Sequence, residues 1–184
     1  MPESVPPTPT RPVPDKRPAA VLVGFMGAGK STVGRLLADR LGVDFIDTDV
    51  ELVRRTGRSI PEIFETDGAD TFRTIERNVI VDVLSTHAGI VSLGGGAVMT
   101  AGVRDALAGH RVVYLRVSPE AGFARVSGTD RPLLATDDPE ASYRELLAQR
   151  VDTYAAVATI EVDAHDTPEA VAEAILAELA RELI

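Results

Sequence analysis

Residues 24–31 read GFMGAGKS, and this stretch decides the fold. It fits the pattern G-x-x-x-x-G-K-[ST], in which glycines let successive backbone N–H groups turn inward around phosphate oxygens. The apolar run AAVLVGF (19–25) leads into it. STVGRLLADRL (31–41) follows, with Val33, Leu36, Leu37 and Leu41 recurring on one helical face. The loop therefore sits at a helix N-terminus, where unpaired N–H groups and the helix dipole favour an anion. Lys30 supplies a cation for the β- and γ-phosphates, and the Ser31 hydroxyl is a ligand for Mg²⁺. A glycine-rich turn is the plain alternative, and the flanking strand and helix weigh against it.

Working outward, four more apolar runs stand at strand length: VDFID (43–47), GIVSLG (89–94), RVVYLRV (111–117) and ATIEVDA (158–164). Most lack apolar/polar alternation, as strands buried on both faces do. Helical patterns between them imply an α/β fold, a parallel sheet with helices on both faces. Ser59 and Glu62 suit a capping box with Pro61 in the first turn, and Thr167-Pro168-Glu169 opens a last helix carrying Val171, Ile175, Leu179 and Leu183. Residues from about 50 to 86 exceed a simple crossover and suggest a small helical subdomain.

Composition narrows the function. The chain has 184 residues, 45% hydrophobic and 26% charged, which suits one domain with a sizeable core. A formal charge of −9 argues against nucleic acid and anionic membranes as partners. With no cysteine, disulfides and thiolate metal sites are excluded. Seven of the twelve prolines fall in residues 1–18, which read as a disordered tail without the apolar middle of a signal peptide. A cytoplasmic location is the expectation.

A phosphate loop serves kinases, ATPases and GTPases alike, so other polar residues must define the acceptor. FIDTD (45–49) ends a strand in two acids; if it is extended, Asp47 and Asp49 point to one side. One acid then suits Mg²⁺ and the other a substrate hydroxyl, with helix capping by Asp49 as the alternative. Arg73, with Glu76 one turn on, either snorkels past core positions or presents its fork to a carboxylate. Gly94, Gly95 and Gly96 permit positive φ and close approach to a ligand. Arg131, before Pro132, lies in a polar segment that reads as a lid or as a surface loop. Arg150 sits late in a helical pattern, where contact with the helix C-terminus would also explain it.

Together, GFMGAGKSTVGRLLA, FIDTD, TGRSIPEIFETDGADTFRTIE, SLGGGAV, DRPLL and YRELLAQRVDTYAAVA resemble the shikimate kinase family, in order and spacing, over about residues 20–180. The resemblance implies a P-loop kinase fold with a five-stranded parallel sheet of order 2-3-1-4-5. It implies a substrate-binding subdomain over about 49–86 and a lid over about 126–138, within a domain spanning 19–184. The implied reaction moves the γ-phosphoryl of ATP to the 3-hydroxyl of shikimate. Its products are shikimate 3-phosphate and ADP, a step towards chorismate and the aromatic amino acids.

By the family pattern Gly27, Ala28, Gly29, Lys30, Ser31 and Thr32 hold the ATP phosphates. Ser31 binds Mg²⁺, and Asp47 supports it through water. Asp49 binds shikimate hydroxyls and orients or deprotonates one of them. Arg73 and Arg150 hold the carboxylate, and Gly95 and Gly96 contact the substrate through their backbone. Arg131 is the lid arginine, and Arg125 stacks on adenine. Lys30, Asp49 and Arg131 are thereby the catalytic set of a monomer with ATP and shikimate as partners. Some family members carry a basic residue in the loop before the last helix, near the adenine, where this chain has His165, Asp166 and Thr167. A gluconate kinase, or a nucleotide-binding regulatory module without turnover, are the competing readings.

Overall fold

The computed structural model describes residues 17–182. The proline-rich tail expected over 1–18 lies outside the described residues except for Arg17 and Pro18, and Pro18 is already buried. Leu183, expected on the last helical stripe, also lies outside them.

All five expected strands form: β1 (Ala20–Val23), β2 (Phe45–Asp47), β3 (Ile90–Ser92), β4 (Val112–Arg116) and β5 (Ile160–Asp163). They make one parallel sheet of order β2-β3-β1-β4-β5, with Val21 opposite Val91 on one side and Val112 on the other. Among the described residues, eight α-helices connect and cover it: α1 (Lys30–Leu41), α2 (Thr48–Thr56), α3 (Ile60–Asp67), α4 (Ala69–Thr86), α5 (Ala101–Leu107), α6 (Pro119–Val126), α7 (Pro139–Val157) and α8 (Pro168–Arg181).

Strand side chains alternate between two cores, because successive residues point to opposite faces. Val21 and Val23 of β1 join Val79, Ile80 and Val83 of α4 together with Tyr143 and Leu147 of α7. Ala20 and Leu22 face the other way, onto Val33 and Leu37 of α1 and Val171 and Ile175 of α8. Both sides of β1 are therefore dry, and each fully buried Leu or Ile contributes roughly 1.5–3 kcal/mol. Only β5, at the sheet edge, alternates between buried and exposed.

Helix ends follow the sequence signals with two adjustments. Ser59 accepts the Glu62 N–H at 3.2 Å, but the Glu62 carboxylate pairs with Arg58 at 3.6 Å rather than closing the box. On α1 the buried stripe is Val33, Gly34, Leu37 and Ala38, whereas Leu41 is 42% exposed. Steps of four residues drift around a helix of 3.6 per turn, so the third member leaves the stripe. Residues 48–86 hold three consecutive helices. Phe64 of α3 packs on Phe72 of α4 with ring centroids 4.4 Å apart, and Leu52, Ile63 and Phe72 share one buried cluster with the second half of α4 and the sheet.

Candidate active site

The phosphate loop joins β1 to α1 with Gly27 and Gly29 at φ of 84° and 87°. Helix α1 has no side-chain cap and no acid in its first turn. By contrast α3, α6, α7 and α8 are each capped by Ser59, Ser118, Asp138 or Thr167 and carry a glutamate in the first turn. The leading N–H groups of α1 are thus left for an anion rather than for the protein's own oxygens. Lys30 Nζ donates to the carbonyl oxygens of Gly24 at 2.6 Å and Phe25 at 3.2 Å. Burial lowers its pKa from 10.5 to about 8; Asp49 and Asp47 oppose that shift, and Arg131 and Arg150 add to it.

A cavity of about 520 Å³ opens over this loop. Of the expected site residues, Gly27, Gly29, Lys30, Ser31, Thr32, Asp47, Asp49, Gly95, Arg125 and Arg131 line it. Ala28 is buried beneath. Arg73, Gly96 and Arg150 stand outside the lining; Arg73 lies against Gly96 and its charge reaches Asp49, while the Arg150 charge reaches Lys30.

The two acids part company. Only Phe45–Asp47 is extended; α2 begins at Thr48, so Asp49 lies on a helix and the shared strand face expected of FIDTD does not form. It is Asp47, not Asp49, that caps α2, its Oδ1 accepting the N–H groups of Asp49 at 2.9 Å and Val50 at 3.3 Å. Its Oδ2 accepts from the Ser31 hydroxyl at 2.8 Å. Two hard oxygen donors therefore meet beside the phosphate cradle, which fits Mg²⁺. Among the described residues no cluster of three or more metal-ligating side chains exists. The remaining ligands would be phosphate and water, the usual habit of this ion. Asp49 has its pKa raised, chiefly by burial and then by the Asp47 charge, while Lys30, Arg73 and Arg131 pull the other way.

Beyond the glycine loop, Arg73 Nη1 pairs with Glu76 at 2.7 Å, and Glu76 is 3% exposed. Burial raises the Glu76 pKa and Arg73 offsets part of it. Positive φ is not what the glycine loop needs: Gly94, Gly95 and Gly96 all avoid it. Space is the reason. A Cβ on Gly94 would lie 2.5 Å from Asp49 Oδ1, and one on Gly96 would lie 2.7 Å from Arg73 Nη2. The Gly94 N–H donates to buried Thr48 Oγ1 at 3.3 Å. Arg150 lies two turns inside α7, too far from its end for a C-terminal contact, and stacks over Phe25 at 5.2 Å.

Arg131 precedes a short 3₁₀ turn, Pro132–Leu134, where Leu134 is buried and Leu133 is 53% exposed. Arg125 bridges two segments, Nη1 to the Gly27 oxygen at 3.0 Å and Nη2 to the Ala164 oxygen at 2.7 Å. Both ring nitrogens of His165 are engaged: Nε2 accepts the Ser118 N–H at 3.0 Å and Nδ1 meets the Asp163 carboxylate. The sequence reading missed Thr48, Tyr143 and Tyr154. The tyrosines sit at helical spacing with Arg150, a pattern that ordinary core residues share.

The sequence model of the shikimate kinase family matches residues 26–180. The chain belongs to the shikimate kinase family. Shikimate kinase from Mycobacterium tuberculosis (strain ATCC 25177 / H37Ra) is 54% identical over 164 residues, covering 88% of this chain and 93% of its own. The solved shikimate kinase of Acinetobacter baumannii, in complex with shikimate, superposes with a TM-score of 0.80 at 39% identity, covering 89% of this chain and 96% of that one. A gluconokinase from Sinorhizobium meliloti 1021 reaches a TM-score of 0.59 at 22% identity, covering 91% and 93%, a likeness of fold alone.

Proposed function

We infer that this chain transfers the γ-phosphoryl group of ATP to the 3-hydroxyl of shikimate, giving shikimate 3-phosphate and ADP. One observation carries the reading. Asp49 lies in the cavity between the phosphate cradle at Lys30 and the Arg73–Glu76 pair, with Gly94 cleared for its carboxylate.

On this reading Gly27 through Thr32 cradle the ATP phosphates with backbone N–H groups, and Lys30 leaves the Gly24 carbonyl for a phosphate oxygen. Ser31 and Asp47 hold Mg²⁺, Asp47 through water. When bound, this ion offsets phosphate charge during transfer. Arg125 offers its guanidinium face to adenine while its edge stays tied to Gly27 and Ala164. Asp49 orients the acceptor hydroxyl and takes its proton; burial raises its affinity for that proton. Arg73, aimed by Glu76, and Arg150, held over Phe25, clamp the shikimate carboxylate, with the Gly95 and Gly96 backbone alongside. A charged fork on each side fixes the ring against the phosphate. Arg131 swings in with the 126–138 lid to meet the developing charge and shut out water. Residues 49–86 act as the acceptor-binding subdomain.

Two soluble anionic substrates go with a cytoplasmic enzyme. Among the described residues no helix is long and apolar enough to cross a membrane. A coupled ADP assay with shikimate and with gluconate tests the assignment. ADP release with shikimate is expected; release with gluconate alone overturns it, and tight ATP binding without acceptor-dependent turnover favours a regulatory module.

A further inference from the structure

Helix α7 carries two buried tyrosines whose hydroxyls leave the helix for carbonyls of two different loops. Tyr143 donates to the Met26 oxygen at 2.6 Å, inside the phosphate loop. Tyr154 donates to the Gly95 oxygen, inside the glycine loop. The two are eleven residues apart, three helical turns or about 16 Å, and share one face. Arg150 lies between them on that face. Phe25 of the phosphate loop packs against both Tyr143 and Arg150, its ring 4.8 Å from the Tyr143 ring and 5.2 Å from the Arg150 guanidinium. Tyr114 stacks on Tyr154 at 5.2 Å.

The fit around Tyr143 is tight. A Cβ on Gly122 would overlap its hydroxyl, so α6 is open at that one residue to let the phenol reach the loop. Gly27, with no side chain, lies against the Gly122 carbonyl. Burial pushes both phenols up to about 12, so each stays a donor at any ordinary pH.

Peptide planarity turns these contacts into a positioning device. Holding the Met26 carbonyl towards α7 sends the N–H of Gly27, in the same plane, the opposite way. Holding the Gly95 carbonyl does the same for the N–H of Gly96. We propose that Tyr143 and Tyr154 are positioning residues that make α7 a spacer between donor and acceptor. Tyr143 aims the phosphate loop through Met26, and Tyr154 aims the glycine loop through Gly95. The proposal rests on ATP and shikimate being the substrates of this site.

Tyr143→Phe and Tyr154→Phe in the full chain test it, with Tyr114→Phe as control because that hydroxyl is bonded to neither loop. Loss of one such hydrogen bond is expected to change the linked constant about fivefold. Tyr143→Phe raises KM for ATP and weakens ADP binding by calorimetry, leaving KM for shikimate unchanged. Tyr154→Phe does the reverse, and the control moves neither constant. If both variants shift both constants together, in step with a lowered Tm, the tyrosines are only structural and the proposal fails. It fails equally if neither variant moves either constant. The ADP arm is read without acceptor, so it decides Tyr143 even if the wild type proves inactive with shikimate.

Discussion

Lys30 should make nucleotide binding proton-linked. With its pKa near 8 before nucleotide arrives, the ammonium is protonated at pH 7, about half neutral at pH 8 and mostly neutral at pH 9. The cause is burial, and bound phosphate reverses it by placing negative charge against Nζ. A site that binds through the protonated form therefore takes up a proton as nucleotide enters: about 0.1 at pH 7, about 0.5 at pH 8 and about 0.9 at pH 9. The sign follows, because the complex holds the proton and affinity falls as pH rises through the free-enzyme value. The dissociation constant for ADP should weaken about tenfold between pH 7 and 9. Isothermal titration calorimetry in buffers of different ionisation enthalpy, at saturating Mg²⁺, measures both quantities. Lys30→Met should bind more weakly and lose the proton uptake. A flat affinity from pH 7 to 9 with no proton uptake would refute the argument, since it would mean Lys30 stays charged in its cradle of carbonyls.

Three further outcomes follow from the acceptor end. Asp49→Asn should leave ADP affinity near wild type and remove most phosphoryl transfer, measured as ADP release in the coupled assay; near wild-type turnover would deny Asp49 an acceptor role. Arg73→Ala should weaken shikimate binding by roughly 2–5 kcal/mol, the usual loss for a buried charged hydrogen-bond partner, and an unchanged dissociation constant would leave Arg73 a partner of Glu76 alone. Gly96→Ala puts a methyl 2.7 Å from Arg73 Nη2 and should raise KM for shikimate at least about tenfold, with KM for ATP held within about twofold; steady-state kinetics with each substrate varied decides it.

Much of the fold was legible because it rests on local rules. Five apolar runs became five strands, and the phosphate loop lies between β1 and α1 as its glycines and lysine require. The failures were equally physical. FIDTD was read as extended because strand signals carry no marker for a helix starting at Thr48, so Asp47 and not Asp49 became the cap. Leu41 fell off its stripe through helical drift. The three glycines signalled a close approach, but what approaches is Asp49 and Arg73, contacts between residues far apart in the chain.

What the sequence by itself determined was the class of sheet, the anion-binding turn and the residue types available for a carboxylate and a phosphate. Those features depend on periodicity, backbone freedom and charge within a few residues. Only the tertiary structure decided how the two acids divide their work, which glycines clear room for which side chains, and that Tyr143 and Tyr154 reach two loops from one helix. These are packing relations between residues as much as 117 apart in the chain, and their geometry exists only once the sheet has brought α2, α4 and α7 to the carboxyl ends of the strands.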